Sequence, residues 1–398
     1  MKIMNKIWRR FKKLVKPIAL SKKPEELQQI ISYSKNETPL TLVHVSAFNY
    51  GNAGDVLLPI VLQDTWQHEF GKIDWINQKV YSEVDIELVN RINESNGVVI
   101  GGGGLFLRDT NPNEISGWQW PCSIEMLNQI KVPVILYAVG YNRFRGQEEF
   151  EPFFTENICA FAEKATYIGL RNYGSINAIE NYLPERLHNK LRFQPCMTTF
   201  IAQLYPNEFN YDDKQNFIAF NAAFDRSHLR FGEKIGDILS KTAQVLKELS
   251  IIIPIKFYSH LPSDDAIIPF LQSYEVPFEL VNLHQKHPKE IIEAYVRPKL
   301  VIGMRGHAQM IPFGCKTPIL SIVSHDKLQW FLDDIGKPEW AVDVLSTWYK
   351  DELKSKALDV LSKTMEIKTF INEKQKELYQ ISIKNVSDSI TEIKHKTL

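Results

Sequence analysis

Short apolar runs recur along the chain, separated by longer stretches of mixed polarity and by glycine-rich turns. Residues 42–48, 97–100, 134–138, 167–170, 217–220, 251–258, 300–302 and 318–323 have the length and apolar content of strands covered on both faces. Residues 56–70, 234–249 and 288–295 lie between them and read as helices. Strands that alternate with helices predict an α/β fold with parallel sheets wrapped by helices. The rhythm breaks over 204–213, where Pro206 stands among Asn and Asp residues, and then restarts. The pattern predicts two doubly wound, Rossmann-like domains, 38–210 and 211–345, joined by a hinge. A lysine- and glutamate-rich helical segment, 346–398, is expected to pack across both domains or to form an interface, a homo-oligomer included. Such domains hold ligands in the cleft where the carboxyl ends of the strands meet.

The segment 1–37 is different. Residues 1–17 carry Lys2, Lys6, Arg9, Arg10, Lys12, Lys13 and Lys16 and no acid, with Ile3, Ile7, Trp8, Phe11, Leu14 and Val15 at helical spacing. A basic amphipathic helix of this kind reads as a peripheral anchor on the cytoplasmic face of an anionic membrane. Docking on its own protein or on a partner subunit is the other reading. Residues 20–36 look like a polar helix and linker.

Composition narrows the class. With 398 residues, 44% hydrophobic and 24% charged, the chain is globular and long enough for two cores. Lys plus Arg equals Asp plus Glu at 47 each, which leaves no nucleic-acid footprint. The four cysteines are scattered without a CxxC pair, which disfavours a zinc site or disulfide framework and suits a reducing cytoplasm. No apolar run approaches the ~20 residues of a membrane span.

The candidate chemistry lies at the strand ends. After the run 300–302, Arg305, Gly306 and His307 precede residues suited to the first turns of a helix. A cation and an imidazole beside unpaired helix N-terminal amides bind anions, and the imidazole proton moves near neutral pH. Arg171 stands at another strand end, where an Arg either pairs with a carboxylate or grips an oxyanion. Two arginines with an adjacent His suit a doubly charged anion. Gly102, Gly103 and Gly104, in the run 101–104, leave amides free to close on an oxyanion, but the spacing fits neither GxGxxG nor an ATP P-loop. In the loop 49–55, Asn52 and Asp55 bring polar groups to a helix start, where Asp55 reads equally as an N-cap. Trp118 and Trp120 suit stacking on a sugar or packing under a loop.

Four segments in order, GNAGD (51–55), VVIGGGGLF (98–106), GLRNYGS (169–175) and VIGMRGHA (301–308), resemble the motifs of the polysaccharide pyruvyl transferases. The likeness spans residues 41–336. YSHLPSDD (258–265) resembles the family's His-then-Asp strand end, which brings in His260, and Lys327 matches a basic position near the last motif. The resemblance implies a GT-B-like fold. It also implies transfer of a pyruvyl group from phosphoenolpyruvate, a co-substrate, onto a sugar of a surface polysaccharide or its lipid-linked precursor. No further cofactor and no metal is required. Arg171, Arg305 and local amides become ligands for the donor's two anionic groups. His307 becomes the general acid toward C3 of the enol, with an ordinary imidazole pKa already suited to the task. Asp55 accepts or orients the proton of a sugar hydroxyl. The chain departs from the family at Gly306, where Leu is usual, and at Asn172, where Asp is common. Gln194-Pro195-Cys196 replaces a common Pro-Asp-Pro. Two alternatives keep the same fold: a GT-B glycosyltransferase using a nucleotide sugar, and a catalytically silent assembly subunit.

Overall fold

The computed structural model describes residues 30, 40–48, 51–108 and 114–397. The basic segment 1–17, and the linker helix expected over 20–36 apart from Ile30, lie outside the described residues. Leu40–Ser46 (β1), Ile73–Lys79 (β2), Gly97–Phe106 (β3), Val134–Tyr141 (β4), Tyr167–Leu170 (β5) and Leu191–Phe193 (β6) form a parallel sheet in the order β2-β1-β3-β4-β5-β6. Gln215–Asn221 (β7), Ile255–Ser259 (β8), Phe278–Asn282 (β9), Pro298–Gly303 (β10), Ile319–Val323 (β11) and Ala341–Asp343 (β12) form a second, ordered β12-β11-β10-β7-β8-β9 and also parallel. Both are doubly wound. The order reverses at β1/β3 in the first sheet and at β7/β10 in the second, and each reversal opens a crevice at the carboxyl ends of the strands.

Helix Ala53–Phe70 joins the two halves. Its pattern is apolar nearly all round, and from Ala53 to Gln67 every residue except Asp55 is buried. A helix of that kind is enclosed by protein on all sides. It begins at Ala53, earlier than the apolar pattern from 56 suggests, because Asn52 caps it: the Asn52 side chain accepts from Gly54 N at 3.1 Å. The cap is therefore Asn52 and not Asp55, which leaves the Asp55 carboxylate in the first turn.

Further ties fix how the two sheets face each other. Ala53 N donates to His260 O at 3.2 Å. After β4, Arg145 makes a bidentate pair with Asp343 at 2.9 and 2.7 Å, and Phe144 stacks on His325 with ring centroids 4.4 Å apart. The long helix Thr364–Thr397 runs back over the first sheet, where Ser382 Oγ lies 2.8 Å from Tyr137 OH and accepts from Gln194 at 2.9 Å. Gln194, at a position where the chain departs from its relatives, thus joins a buried network with Ser382 and Asn385.

Candidate active site

The two crevices share a cavity of about 320 Å³. Ser46, Asn52, Asp55, Gly102, Gly103, Gly104, Asn142 and Arg171 line it from the first half of the chain. Asp225, Arg226, Arg230, His260, Arg305, Gly306, His307 and Lys327 line it from the second. Every one of these lies in or just after the carboxyl end of a strand or near the start of the next helix, the placement that a doubly wound sheet gives to ligand-binding groups.

Arg305 is held before any ligand arrives. Its Nε donates to both Asp264 oxygens at 3.1 and 2.9 Å, and Nη2 lies 2.8 Å from Asp225 Oδ1. Asp264 is fully buried and also accepts from His260 N at 3.1 Å, so the strand end after β8 and the loop after β10 are braced together. Asp225 takes a further pair from Arg230 Nη2 at 3.0 Å. Burial works against the Asp225 charge, but the Arg305 and Arg230 guanidiniums outweigh it and hold the carboxyl well below its ordinary range.

Arg171 is placed differently. It is buried, its Nε has no hydrogen-bond partner, and its guanidinium lies across Gly140, where a Cβ would fall 2.2 Å from Nε. Among the described residues no carboxylate pairs with it, and burial lowers its pKa. Lys327, in the first turn of helix Asp326–Asp334, likewise has no ion pair there. Desolvation, then Arg171 and Arg230, push its amine well below the ordinary lysine value.

His307 opens helix His307–Gly314, and its ring rests on the backbone of Gly54 from the other half of the chain. Its Nε2 is buried without a partner. Desolvation, helped by Arg171, Lys327 and Arg305, lowers its pKa to about 3. The expectation of an ordinary imidazole pKa is thus overturned: the ring is buried and three cations, two of them distant in sequence, converge on it and hold it neutral. Asp55 moves the other way. Desolvation raises it to about 6 against the pull of Arg305 and Lys327, while Asn52 Nδ2 donates to it at 2.7 Å. His260 is fully buried, shares a short contact between Nε2 and Tyr295 OH, and keeps Nδ1 without a partner.

Two expectations need correction. Trp120 does not line the cavity; it is buried with its ring centroid 5.8 Å from Trp118 and 6.0 Å from Phe161, so it packs under the loop. The glycine run is not a loop but the end of β3, which continues to Phe106 with an irregular register after Gly103, whose φ is +101°. Gly102 to Gly104 still line the cavity. At Gly306 an added Cβ would meet nothing within 4 Å, so this position leaves space in the cleft. Asn172 caps helix Tyr173–Glu180 by accepting from Ser175 N at 2.7 Å, a role that Asp fills equally. Sequence reading passed over Asp225, Arg230, Ser46 and Asn142, although Ser46 lies within a predicted strand and the other three follow one.

Fold and site together define a two-domain α/β protein of the GT-B type with a cationic interdomain cavity. The chain belongs to the polysaccharide pyruvyl transferase family, whose sequence profile matches residues 52–326, and it is accordingly a transferase. It has no match among the curated proteins. Among solved structures it is similar to the UDP-GlcNAc 2-epimerase from Methanocaldococcus jannaschii, with 12% identity, 81% of this chain and 93% of that chain covered, and a TM-score of 0.50. It is also similar to S. aureus MnaA in a co-structure with UDP, with 10% identity, 86% and 90% covered, and a TM-score of 0.51. At these identities the likeness is one of fold.

Proposed function

We propose that the chain transfers a pyruvyl group from phosphoenolpyruvate to two hydroxyls of one sugar in a surface polysaccharide or its lipid-linked precursor, forming a ketal and releasing phosphate. The observation that carries this reading is the charge of the cavity. Among the described residues, Arg171, Arg226, Arg230, Arg305 and Lys327 face it against only Asp55 and Asp225, and no carboxylate there pairs with Arg171 or Lys327. A small ligand with a phosphate and a carboxylate matches that surplus.

In this reading Arg171 and Lys327 take the donor's anionic groups, and Arg305, braced by Asp264, fixes their position. His307 Nε2 protonates C3, and the cationic C2 is attacked by a sugar hydroxyl whose proton passes to Asp55. The C2–O bond to phosphate then breaks, and the second hydroxyl closes the ring. Of the two hydroxyl protons, one ends on C3 and the other on phosphate. The low pKa of His307 makes the acid conditional. The donor's negative charges offset the three neighbouring cations, so the ring gains its proton when the donor is in place. Ser46 Oγ and Asn142 Oδ1, buried without partners in the first-domain wall, offer hydrogen bonds to the acceptor's hydroxyls. We further propose that the basic segment 1–17 holds the chain on the cytoplasmic face of a membrane. Among the described residues no helix is long and apolar enough to cross one.

A thermal-shift titration with phosphoenolpyruvate, UDP-sugars and CMP-sugars tests the donor, since a ligand of the native state raises the melting temperature by mass action. The expected result is stabilisation by phosphoenolpyruvate that is lost in Arg171→Met. Stabilisation by a nucleotide sugar alone overturns the reading in favour of a glycosyltransferase.

A further inference from the structure

A cavity of about 320 Å³ is small for a ligand pocket, for which roughly 300–1,000 Å³ is usual. It suits a three-carbon donor and one sugar. A polysaccharide, however, carries further sugars on either side of the one being modified. A second cavity of about 540 Å³ lies beside the first. Consecutive residues divide between them: Tyr141 lines the second and Asn142 the first, and Asp326 lines the second and Lys327 the first. Phe144, stacked on His325, forms part of the partition.

We propose that this second cavity is a subsite for the sugars that flank the modified residue of the glycan acceptor, on the reading given under Proposed function. Its chemistry differs from that of the catalytic cavity. Arg143 and Arg145 are balanced by Glu149 and Asp326, so no surplus charge selects an anion. What remains is four aromatic side chains, the buried Tyr141 and Phe144 and the half-buried Tyr182 and Trp330, among planar polar groups that include Asn181. The C–H face of a pyranose stacks on aromatic rings, while its hydroxyls pair with amides, carboxylates and guanidiniums.

The polar wall is organised without a ligand. Tyr182 OH donates to Glu149 Oε2 at 2.7 Å and lies 3.2 Å from Tyr141 OH. Arg143 pairs with the same Glu149 and donates from Nε to Gln147 O at 2.8 Å. Trp330 comes from the second half of the chain and lies on Gly174 of the first, where a Cβ would fall 2.1 Å from its ring. Both halves therefore build the subsite, and it is complete only when they meet as they do here. Preorganised contacts of this kind bind a partner with little ordering cost.

The test uses surface polysaccharide from the producing cell, stripped of acid-labile ketals and cut into size-fractionated oligosaccharides. Affinity is measured against chain length, with hydrogen–deuterium exchange to locate the bound chain. The expected result is that a hexasaccharide binds the full-length protein at least about tenfold more tightly than a monosaccharide, the equivalent of one lasting contact of about 1.4 kcal/mol. It should also protect residues 141–149 and 178–182 from exchange. Asn181→Trp, which adds bulk at an exposed position on the cavity wall, should abolish the length preference, and Trp330→Ala should reduce it. Circular dichroism and melting curves establish that each variant is folded. Equal affinity at all lengths, no protection of these segments, or a length preference that survives Asn181→Trp overturns the proposal. Failure of the pyruvyl-transfer reading is visible separately, as no phosphate release from phosphoenolpyruvate with glycans that do bind.

Discussion

Gly54 and His307 touch across the two halves of the chain: a Cβ built on Gly54 would fall 2.1 Å from His307 Nδ1 and 2.7 Å from its Cγ. No flexible chain end is available to yield, since His307 sits at the start of its helix and Gly54 lies in the first turn of the most enclosed helix of the fold. A methyl group there must displace the imidazole. Misplacing a reacting group by about 1 Å costs on the order of 10²-fold in rate. Gly54→Ala is therefore expected to lose about that much kcat with its circular dichroism unchanged. Steady-state kinetics that match the wild type would remove His307 from the chemistry.

Arg171 and Arg305 line one cavity but are supported in opposite ways, and this predicts opposite stability effects. Arg305→Ala leaves Asp264, fully buried, and Asp225 without their main partner. Removing one member of a buried pair typically costs about 3–5 kcal/mol. Arg171 has no such partner among the described residues, so Arg171→Met relieves a buried charge and is expected to hold or raise the melting temperature while phosphoenolpyruvate affinity falls. Urea denaturation of both variants beside donor titrations checks this. A destabilised Arg171→Met would mean that the residue is structural.

Asp55 gives a pH signature in stability. Burial pushes its carboxyl up to about 6 in the folded protein, from an ordinary 3.8. The native state thus binds this proton more tightly than the unfolded chain does. Its stabilising contribution is full below the unfolded pKa and is lost as the pH rises through about 6. Asp55→Asn cannot ionise, so it should melt above the wild type at neutral pH and converge with it in acid, while turnover collapses. A melting difference independent of pH would contradict this environment for Asp55.

Donor binding should take up protons. His307 stands at about 3 in the free protein, and Lys327 is also held well below its ordinary value. Burial is the main cause of both shifts and the neighbouring cations add to it; a bound dianion offsets those cations and raises both. Calorimetry in buffers of different ionisation enthalpy should report net uptake near neutral pH, and His307→Gln should reduce it. Uptake unchanged in that variant would assign the whole effect to Lys327.

The eight interior strands of the two sheets were legible because they are buried on both faces and read as continuous apolar runs. The strands missing from the sequence reading, β2, β6, β9 and β12, are the four edges of the two sheets. Each is short or half-exposed: β2 reads IDWINQK, with only Ile73 buried and Asp74, Asn77 and Lys79 in solvent, and β6 and β12 have three residues each. Edge strands need little apolar surface, so periodicity does not mark them. In the site, Arg171, Arg305, His307, Asp55 and Lys327 were readable as strand-end residues within motifs. Asp225 and Arg230 stand outside those motifs, and their role appears only through the Asp225 carboxylate, which pairs with both Arg230 and Arg305. The low pKa of His307 was invisible for a similar reason, because it arises from burial between the two halves and then from charges 136 residues upstream at Arg171 and 20 downstream at Lys327.

The most direct test of pyruvyl transfer follows carbon 2 of phosphoenolpyruvate labelled with carbon-13, incubated with the protein and ketal-free glycan. The account predicts that the enol signal is replaced by that of a quaternary ketal carbon attached to the glycan, with one phosphate released per ketal and no product from His307→Ala. An unchanged enol signal, with a nucleotide sugar consumed by the same protein and glycan, would contradict it.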